Sequence, residues 1–174
     1  MKKHSVIGSI AVIIFLATSL FAVDVKTDYD RTASFAQYKT YSWDEVQVQD
    51  KLWVDRIKNA VDAALTAKGW KEVPSGGDVT VMATTITRNE QTLTTYYDRF
   101  GGRRFGGFGE ATTTADVYTV GTLVVDLVDS QTKKFIWHGS SSDTVSNKSD
   151  KNIQSLNKGV QKMFEHFPPE PKKG

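Results

Sequence analysis

The sequence predicts an α+β fold: a mostly antiparallel or mixed β-sheet with two helices packed on one of its faces. Two segments repeat apolar residues every three or four positions, which is the pattern of an amphipathic helix. Several other segments alternate apolar and polar residues and are rich in Val and Thr, as half-buried strands are. Each helix has one apolar stripe, and laying both stripes on the same face of the sheet is the simplest way to bury them.

The chain is predicted to hold two strands before its first helix. Residues 23–26 begin extended, and 28–30 (Asp-Tyr-Asp) are interpreted as a turn. The aromatic and hydroxylated run at 40–43 favours a second strand. Asp44 and Glu45 are expected to end it.

The first helix is predicted over residues 51–68, with Asp50 as its candidate N-cap. Gly69 stands where a left-handed residue ends a helix. The apolar face is formed by Val54, Ile57, Val61, Ala64 and Leu65.

The second half is predicted to contain three strands and a second helix. Strands are expected over 78–88, 115–128 and 134–145, and a polar turn joins the last two into an antiparallel hairpin. A second helix with Asp150 as its candidate cap follows, and Pro168 and Pro169 end it. Its apolar stripe consists of Ile153, Leu156, Val160, Met163, Phe164 and Phe167.

The composition fits one globular domain and excludes cysteine chemistry. The chain has 174 residues, 39% of them hydrophobic, and no cysteine. Disulfides, zinc–thiolate sites and cysteine nucleophiles are therefore excluded. The 22 basic residues include Lys2 and Lys3, and without these two the 20 acidic residues are balanced. A neutral domain gives no reason to expect nucleic acid as a partner.

Residues 1–22 resemble a signal peptide, with a basic start, an apolar run and small residues that suggest cleavage near 19–22. We therefore expect a periplasmic or secreted protein, with an uncleaved membrane anchor as the alternative. Because no cysteine follows the apolar run, we expect a form that is not a lipoprotein. Residues 23–168 are predicted to form a single domain, and residues 169–174 a disordered tail.

Seven short stretches carry a family resemblance through their order and spacing. They are residues 28–30, 35–43, 67–70, 78–81, 121–129, 135–139 and 163–169. Together they resemble the DUF4136 family of bacterial envelope proteins. The resemblance implies an exported α+β domain without an assigned activity, cofactor or catalytic residue. Many members look like lipoproteins, and this chain differs from them by lacking the cysteine.

The most unusual segment is residues 99–109, which contain five glycines and join two predicted strands. One interpretation is a flexible hairpin loop whose aromatic side chains fold back on the sheet. A second is a contact surface for an envelope protein, an anionic glycan or a lipid headgroup, since Arg binds phosphate and carboxylate bidentately. A third, nucleic-acid binding in the manner of Arg-Gly-Gly segments, is disfavoured because the chain is expected to be exported. The candidate contact residues are Tyr96, Tyr97, Arg99, Phe100, Arg103, Arg104, Phe105 and Phe108.

No catalytic motif, metal-ligand spacing or cofactor fingerprint is found. Asp126 and His138 are expected to face away from the core, and His166 ends the second helix. The serines at 140–142 lack the context of a nucleophile elbow. Neither a catalytic residue nor a metal or cofactor is therefore assigned.

The tryptophans are interpreted mainly as structural. Trp43, Trp70 and Trp137 are expected in the core, because large aromatic residues usually fill it. Trp53 lies off the apolar stripe of the first helix and is expected to be exposed.

These observations favour a non-enzymatic envelope protein that binds or scaffolds envelope components. Two alternatives are open: an enzyme or enzyme accessory acting on cell-wall or outer-membrane glycans, and a lipid-surface module acting through residues 99–109. The oligomeric state is not determined by the sequence.

Overall fold

A computed structural model describes residues 23–98 and 110–169. They form a six-stranded mixed sheet with two α-helices, so the predicted fold class is confirmed. The elements are β1 (Asp24–Tyr29), β2 (Thr40–Gln47), α1 (Leu52–Ala67), β3 (Lys71–Glu72), β4 (Val79–Asp98), β5 (Glu110–Asp129), β6 (Phe135–Thr144) and α2 (Ser149–Met163). A single 3-10 turn, Phe35–Gln37, precedes β2.

The strand order is β1-β6-β5-β4-β2-β3. The pairs β1–β6, β6–β5 and β5–β4 are antiparallel, whereas β2 runs parallel to both β4 and β3. Parallel neighbours need a crossover connection. Between β2 and β4 the chain passes through α1, which is why this end of the sheet is mixed.

Helix α1 ends as the sequence predicts. Gly69 has a φ of 84°, a conformation that glycine adopts without steric cost. Its N–H donates to the carbonyl of Thr66 at 2.9 Å, and the N–H of Trp70 donates to that of Leu65 at 3.1 Å. This is the Schellman arrangement, in which the two bonds satisfy carbonyls left free at the helix end.

Several predicted strand limits are wrong. Strand β1 runs through Asp28 and Tyr29, so the turn begins only at Asp30. Strand β2 continues beyond Asp44 and Glu45, with an irregularity between Trp43 and Val46. Local turn formers are overridden here because neighbouring strands supply the backbone hydrogen bonds.

The largest difference is the length of the central hairpin. Strands β4 and β5 each have 20 residues, far beyond the predicted 78–88 and 115–128. Their outer halves are rich in Thr and polar residues and lack apolar alternation. The two outer halves pair with each other. This pairing joins distant segments, so the pattern within either segment alone does not predict it.

The core lies between one face of the sheet and the two helices. Trp70 and Trp137 are buried as predicted, whereas Trp43 is only partly buried and packs against the core. The expectation that Trp53 is exposed is wrong, because it packs partly buried against the core. The guanidinium of Arg56 lies 5.0 Å from the centre of the Trp53 ring. The largest fully buried side chains are Tyr41, Phe164, Ile57, Leu65, Leu127 and Met163.

Neither helix in the described part of the chain is both long and apolar enough to cross a membrane.

Candidate functional site

Two of the eight predicted contact residues lie at the far end of the β4–β5 hairpin. Tyr96 and Tyr97 belong to β4 and are paired through the backbone with Thr112 and Ala111 of β5. The other six lie outside the described residues, so their contact role stays a prediction. They are Arg99, Phe100, Arg103, Arg104, Phe105 and Phe108.

The hairpin extends beyond the rest of the sheet as a two-stranded ribbon, which we define as residues 89–98 and 110–119. Strand β6 pairs with β5 only up to the pair Val120–Thr144, and β2 pairs with β4 only up to Gln47–Thr84. Ten residue pairs of β4 and β5 lie beyond Val120. At about 3.3 Å per residue, the ribbon is roughly 30 Å long.

The ribbon presents apolar side chains to solvent. Leu93 is 68% exposed and Val117 is 61% exposed. The register pairs Leu93 with Ala115, so strand alternation places Ala115 and Val117 on one face together with Leu93. Exposed apolar residues grouped on one face are typical of interaction surfaces.

Polar cross-strand contacts stabilise the ribbon internally. The hydroxyl of Tyr118 donates to Glu90 Oε2 at 3.1 Å, and the hydroxyl of Thr119 donates to Asn89 Oδ1 at 3.0 Å. A two-stranded hairpin is only marginally stable by itself in water. Such pairs contribute to keeping the strands in register where no other strand supports them.

At the base of the ribbon lies a groove of about 280 Å³ between the sheet and the first turns of both helices. We call it the helix-end groove. Its apolar lining includes Trp53, Ile57, Leu123 and Leu156. Sequence reasoning missed it, because its residues come from five elements and the connections between them and share no motif.

Several polar groups of the helix-end groove bond within the protein. The Ser155 hydroxyl donates to the Asp143 carboxylate. The Asn152 amide accepts from the Ser146 N–H and donates to its carbonyl, both at 2.8 Å. Among the described residues, no buried side-chain nitrogen or oxygen lacks a partner. The groove is therefore a mainly apolar surface, and the Asp143, Asn152 and Ser155 side chains at its rim bond to the protein itself.

His138 and Asp126 meet on the open face of the sheet, opposite the helices. Their Nδ1 and Oδ1 atoms are 2.7 Å apart, and the side chains are 50% and 24% exposed. The prediction that both face away from the core is confirmed. The β5–β6 register places them directly opposite each other. Neither residue lines the helix-end groove or the second cavity beside β1.

Metal-binding geometry is not assembled in residues 23–98 and 110–169. No group of three or more His, Asp or Glu side chains in these ranges is close enough to share an ion.

The carboxylate of Asp129 has a structural role in the turn after β5. Its Oδ1 accepts from the N–H groups of Gln131 and Thr132 at 2.9 and 2.7 Å, and its Oδ2 accepts from the Tyr38 hydroxyl at 2.7 Å. These donors, led by the Thr132 N–H, lower the pKa of Asp129 to about 2. Asp129 therefore caps a turn, as its position in the sequence predicts.

Asp78 joins the starts of two strands in the same way. Its Oδ2 accepts from the N–H groups of Lys39 and Thr40, both at 2.9 Å. These backbone donors hold the pKa of Asp78 below its usual value. Backbone N–H donors are therefore the main reason that the pKa values of Asp78 and Asp129 are lowered, and no active site is needed to explain them.

The fold resembles several solved structures at low sequence identity. A PDZ domain protein from Parabacteroides distasonis matches with a TM-score of 0.58 and 12% identity. That match covers 84% of this chain and 35% of the other, so this chain spans about a third of that protein's length. At this identity the likeness shows the fold alone.

Two weaker likenesses carry no conclusion about function. The PelC dodecamer from Paraburkholderia phytofirmans matches with a TM-score of 0.46 and 11% identity, over 82% of this chain and 97% of that one. A lipoprotein from Neisseria meningitidis matches with 0.42 and 15%, over 74% and 99%. The expectation that this chain is not a lipoprotein stays a prediction.

No curated protein is significantly similar to this chain in sequence. One family model does match, over residues 25–169, and it describes a domain of unknown function. The match covers most of the chain and agrees with the resemblance carried by the seven short stretches. The chain therefore belongs to the DUF4136 family.

Proposed function

We propose that this protein is a non-enzymatic, exported component of the bacterial cell envelope that binds or scaffolds another envelope component. The contact element is the β4–β5 ribbon together with residues 99–109, which it carries at its end. One observation carries the proposal: the ribbon extends roughly 30 Å past the sheet and exposes Leu93 and Val117. The signal-like leader at 1–22 supports export.

The chemistry of the ribbon end indicates the kind of partner. Residues 99–109 contain three arginines and three phenylalanines. Arginine forks bind carboxylates and phosphates, and phenylalanines bury apolar surface at interfaces. A partner with anionic groups beside an apolar patch fits this combination. An envelope protein is the leading candidate, and an anionic glycan or a lipid headgroup offers related chemistry.

The proposal is tested by shortening the ribbon. Replacing residues 89–119 with Asn-Gly joins β4 to β5 through a two-residue turn suited to antiparallel strands. The body should keep its circular dichroism spectrum and cooperative melting, whereas capture of cross-linked envelope partners should be lost. Equal capture by the shortened and full-length proteins would refute the contact role of the ribbon.

A matched set of three surface variants separates binding by the ribbon from nonspecific adhesion of exposed apolar side chains. Leu93→Ser and Val117→Ser remove exposed apolar side chains from the ribbon. Phe135→Ser removes a side chain that is 61% exposed but lies outside the ribbon, in β6. Partner capture should fall in the first two variants and persist in the third.

Comparison of the full-length and shortened proteins also distinguishes a lipid surface from a protein partner. If the arginines bind anionic headgroups, vesicles containing phosphatidylserine should bind the full-length protein and release it at high salt. The shortened protein should not bind them. Vesicle binding that does not weaken as the salt concentration rises would exclude the electrostatic mechanism.

A second candidate function is an enzyme or enzyme accessory acting on envelope glycans. The observation that favours it is the 2.7 Å contact between His138 and Asp126, an arrangement that general acid–base catalysis also uses. If this is the function, His138→Ala and Asp126→Ala should abolish turnover without unfolding the protein. A broad screen of cell-wall and outer-membrane glycans without turnover by the native protein would exclude this candidate.

A further inference from the structure

Strand β1 forms one edge of the sheet, and its outer side is unpaired among the described residues. The hydrogen-bond pattern shows which backbone groups face outward. The N–H of Asp30 donates to the carbonyl of Ile136 at 2.9 Å. Antiparallel ladders alternate, so Asp28 and Lys26 also bond to β6, while Thr27 and Val25 direct their N–H and C=O groups outward.

The neighbouring residue Tyr29 confirms this alternation. Its N–H donates to Oδ1 of Asp28, at 2.9 Å, and not to β6. The outward groups of Val25 and Thr27 therefore remain available as a template for another strand.

A cavity of about 520 Å³ lies beside this edge, between β1 and the end of α2. Val25, Thr27 and Tyr29 line it from the strand, and Met163 lines it from the helix. A strand added to β1 would place alternate side chains over this cavity.

We propose that β1 pairs antiparallel with β1 of a second copy of this chain, with Thr27 opposite Thr27 on a two-fold axis. The two sheets then form one continuous sheet across the interface. The contact is isologous, because the same strand serves both copies. This interface does not involve the ribbon and is independent of the function proposed for it.

The charges on β1 select this register. With Thr27 opposite itself, Lys26 of each copy faces Asp28 of the other, and Val25 faces Tyr29. A shift that places Lys26 opposite Lys26 also sets Asp24 against Asp28, so that every charged pair repels. A shift the other way places Asp28 opposite Asp28, which again sets like charges against each other. A further shift towards the N-terminus, with Val25 opposite itself, requires residues before Asp24 to pair.

Charged edge residues usually discourage strand pairing. In β1 the charges alternate in sign along one face, as Asp24, Lys26 and Asp28. The alternation therefore disfavours the registers centred on Lys26 and on Asp28, and it favours the register centred on Thr27, in which opposite charges meet within β1. The apolar contact of Val25 with the partner's Tyr29 closes the cavity on each side of the axis.

Sedimentation equilibrium of the purified protein over a wide concentration range tests the proposal. The native protein should dimerise reversibly. Thr27→Pro removes the outward N–H without losing a bond to β6, and edge strands tolerate proline there. Its dimer dissociation constant should rise about tenfold or more, the loss expected for paired hydrogen bonds. Its melting temperature at low concentration should stay close to that of Thr27→Ala.

Charge reversal provides the sharper test. Lys26→Asp alone and Asp28→Lys alone each set like charges opposite each other, so each should be monomeric. Mixed together, the two variants should form a heterodimer, because every facing pair then has opposite charges. The double variant, with both substitutions in one chain, should dimerise again. High salt should weaken these differences.

A native protein that is monomeric at all concentrations would overturn the proposal. So would a dimer unaffected by Thr27→Pro, or failure of the two charge variants to associate on mixing. Loss of the ribbon by the Asn-Gly replacement should leave the β1 dimer intact.

Discussion

The hydroxyl of Tyr38 donates a hydrogen bond of 2.7 Å to Oδ2 of Asp129, and the two residues are 91 positions apart in the chain. Tyr38 is 5% exposed, and its ring packs edge-on against Phe35 and Trp70. The contact ties the segment before β2 to the turn after β5. It also completes the set of donors around the Asp129 carboxylate.

Tyr38→Phe should therefore destabilise the protein by about 1–3 kcal/mol, the cost of leaving a charged acceptor without one donor. The free energy of unfolding in urea measures the effect. Tyr29→Phe is the matched control, because Tyr29 is in ring contact with Phe35 and its hydroxyl bonds to no described residue. A loss in the control as large as that in Tyr38→Phe would contradict the assignment.

Asp129 should make the stability of the protein dependent on acid pH. Its pKa is about 2 in the folded protein, and about 3.9 is expected for an unfolded chain. Because the folded-state pKa is the lower one, the ionised carboxylate stabilises the fold above about pH 4. That contribution is lost as pH falls towards 2.

Urea unfolding of Asp129→Asn across this range measures the effect. The variant should be less stable than the native protein at neutral pH, and the difference should shrink as pH falls from about 4 to about 2. Asp44→Asn removes an exposed carboxylate and serves as the charge control. If the native and Asp129→Asn curves stay parallel, the carboxylate does not have the role described.

Asp62 of α1 holds two aromatic side chains of β2 through one oxygen. Its Oδ1 accepts from the Tyr41 hydroxyl and from Trp43 Nε1, both at 2.8 Å. Tyr41 is fully buried, and burial is the main reason that its pKa is raised. Asp62→Ala leaves this hydroxyl without an acceptor and should cost about 1–3 kcal/mol.

Two comparisons test the role of Asp62. Asp62→Asn keeps an acceptor oxygen and should cost less than Asp62→Ala, whereas Asn59→Ala, on the exposed side of α1, should be nearly neutral. Tryptophan fluorescence should change in Asp62→Ala because Trp43 loses its partner. Equal stability of the alanine and asparagine variants would show that the oxygen is not required.

Gly159 allows α2 to approach β6 closely. A Cβ on Gly159 would clash with Oγ of Ser141 and lie 3.0 Å from its Cβ. In an exposed helix, Gly→Ala stabilises by about 1 kcal/mol. Here Gly159→Ala should instead destabilise, by about 1–3 kcal/mol, because the helix or the strand must move.

A double-mutant cycle with Ser141→Gly tests whether this contact is responsible. Ser141→Gly removes both atoms that a new Cβ would meet, so Gly159→Ala should become neutral or stabilising in that background. Thermal unfolding of the four proteins gives the coupling energy. Purely additive effects would place the cost of Gly159→Ala elsewhere.

The body of the fold was predictable wherever local pattern and burial agree. The stripe of Ile57, Val61 and Leu65 predicts α1 almost to the residue, and Gly69 predicts its end. The alternation of Val79 and Val81 predicts the buried half of β4. In these segments the residues that set the pattern are also those that face the core.

The candidate sites were less predictable, because they depend on contacts between distant segments. Most of the ribbon escaped prediction: residues 89–98 and 110–114 were not predicted as strand, because neither helix covers the ribbon and they show little apolar alternation. The helix-end groove and the contact of His138 with Asp126 depend on which elements become neighbours and in what register.

The sequence by itself determined the α+β class, the two helices, the outward direction of His138 and the absence of cysteine chemistry. These follow from composition and from side-chain periodicity, which are local properties of the chain. Only the tertiary structure decided that β1 is an unpaired edge strand, that the β4–β5 hairpin extends beyond the other strands of the sheet, and that Tyr38 bonds to Asp129. Strand order and register arise from long-range pairing, whose free energy is shared between segments and is not encoded in either one alone.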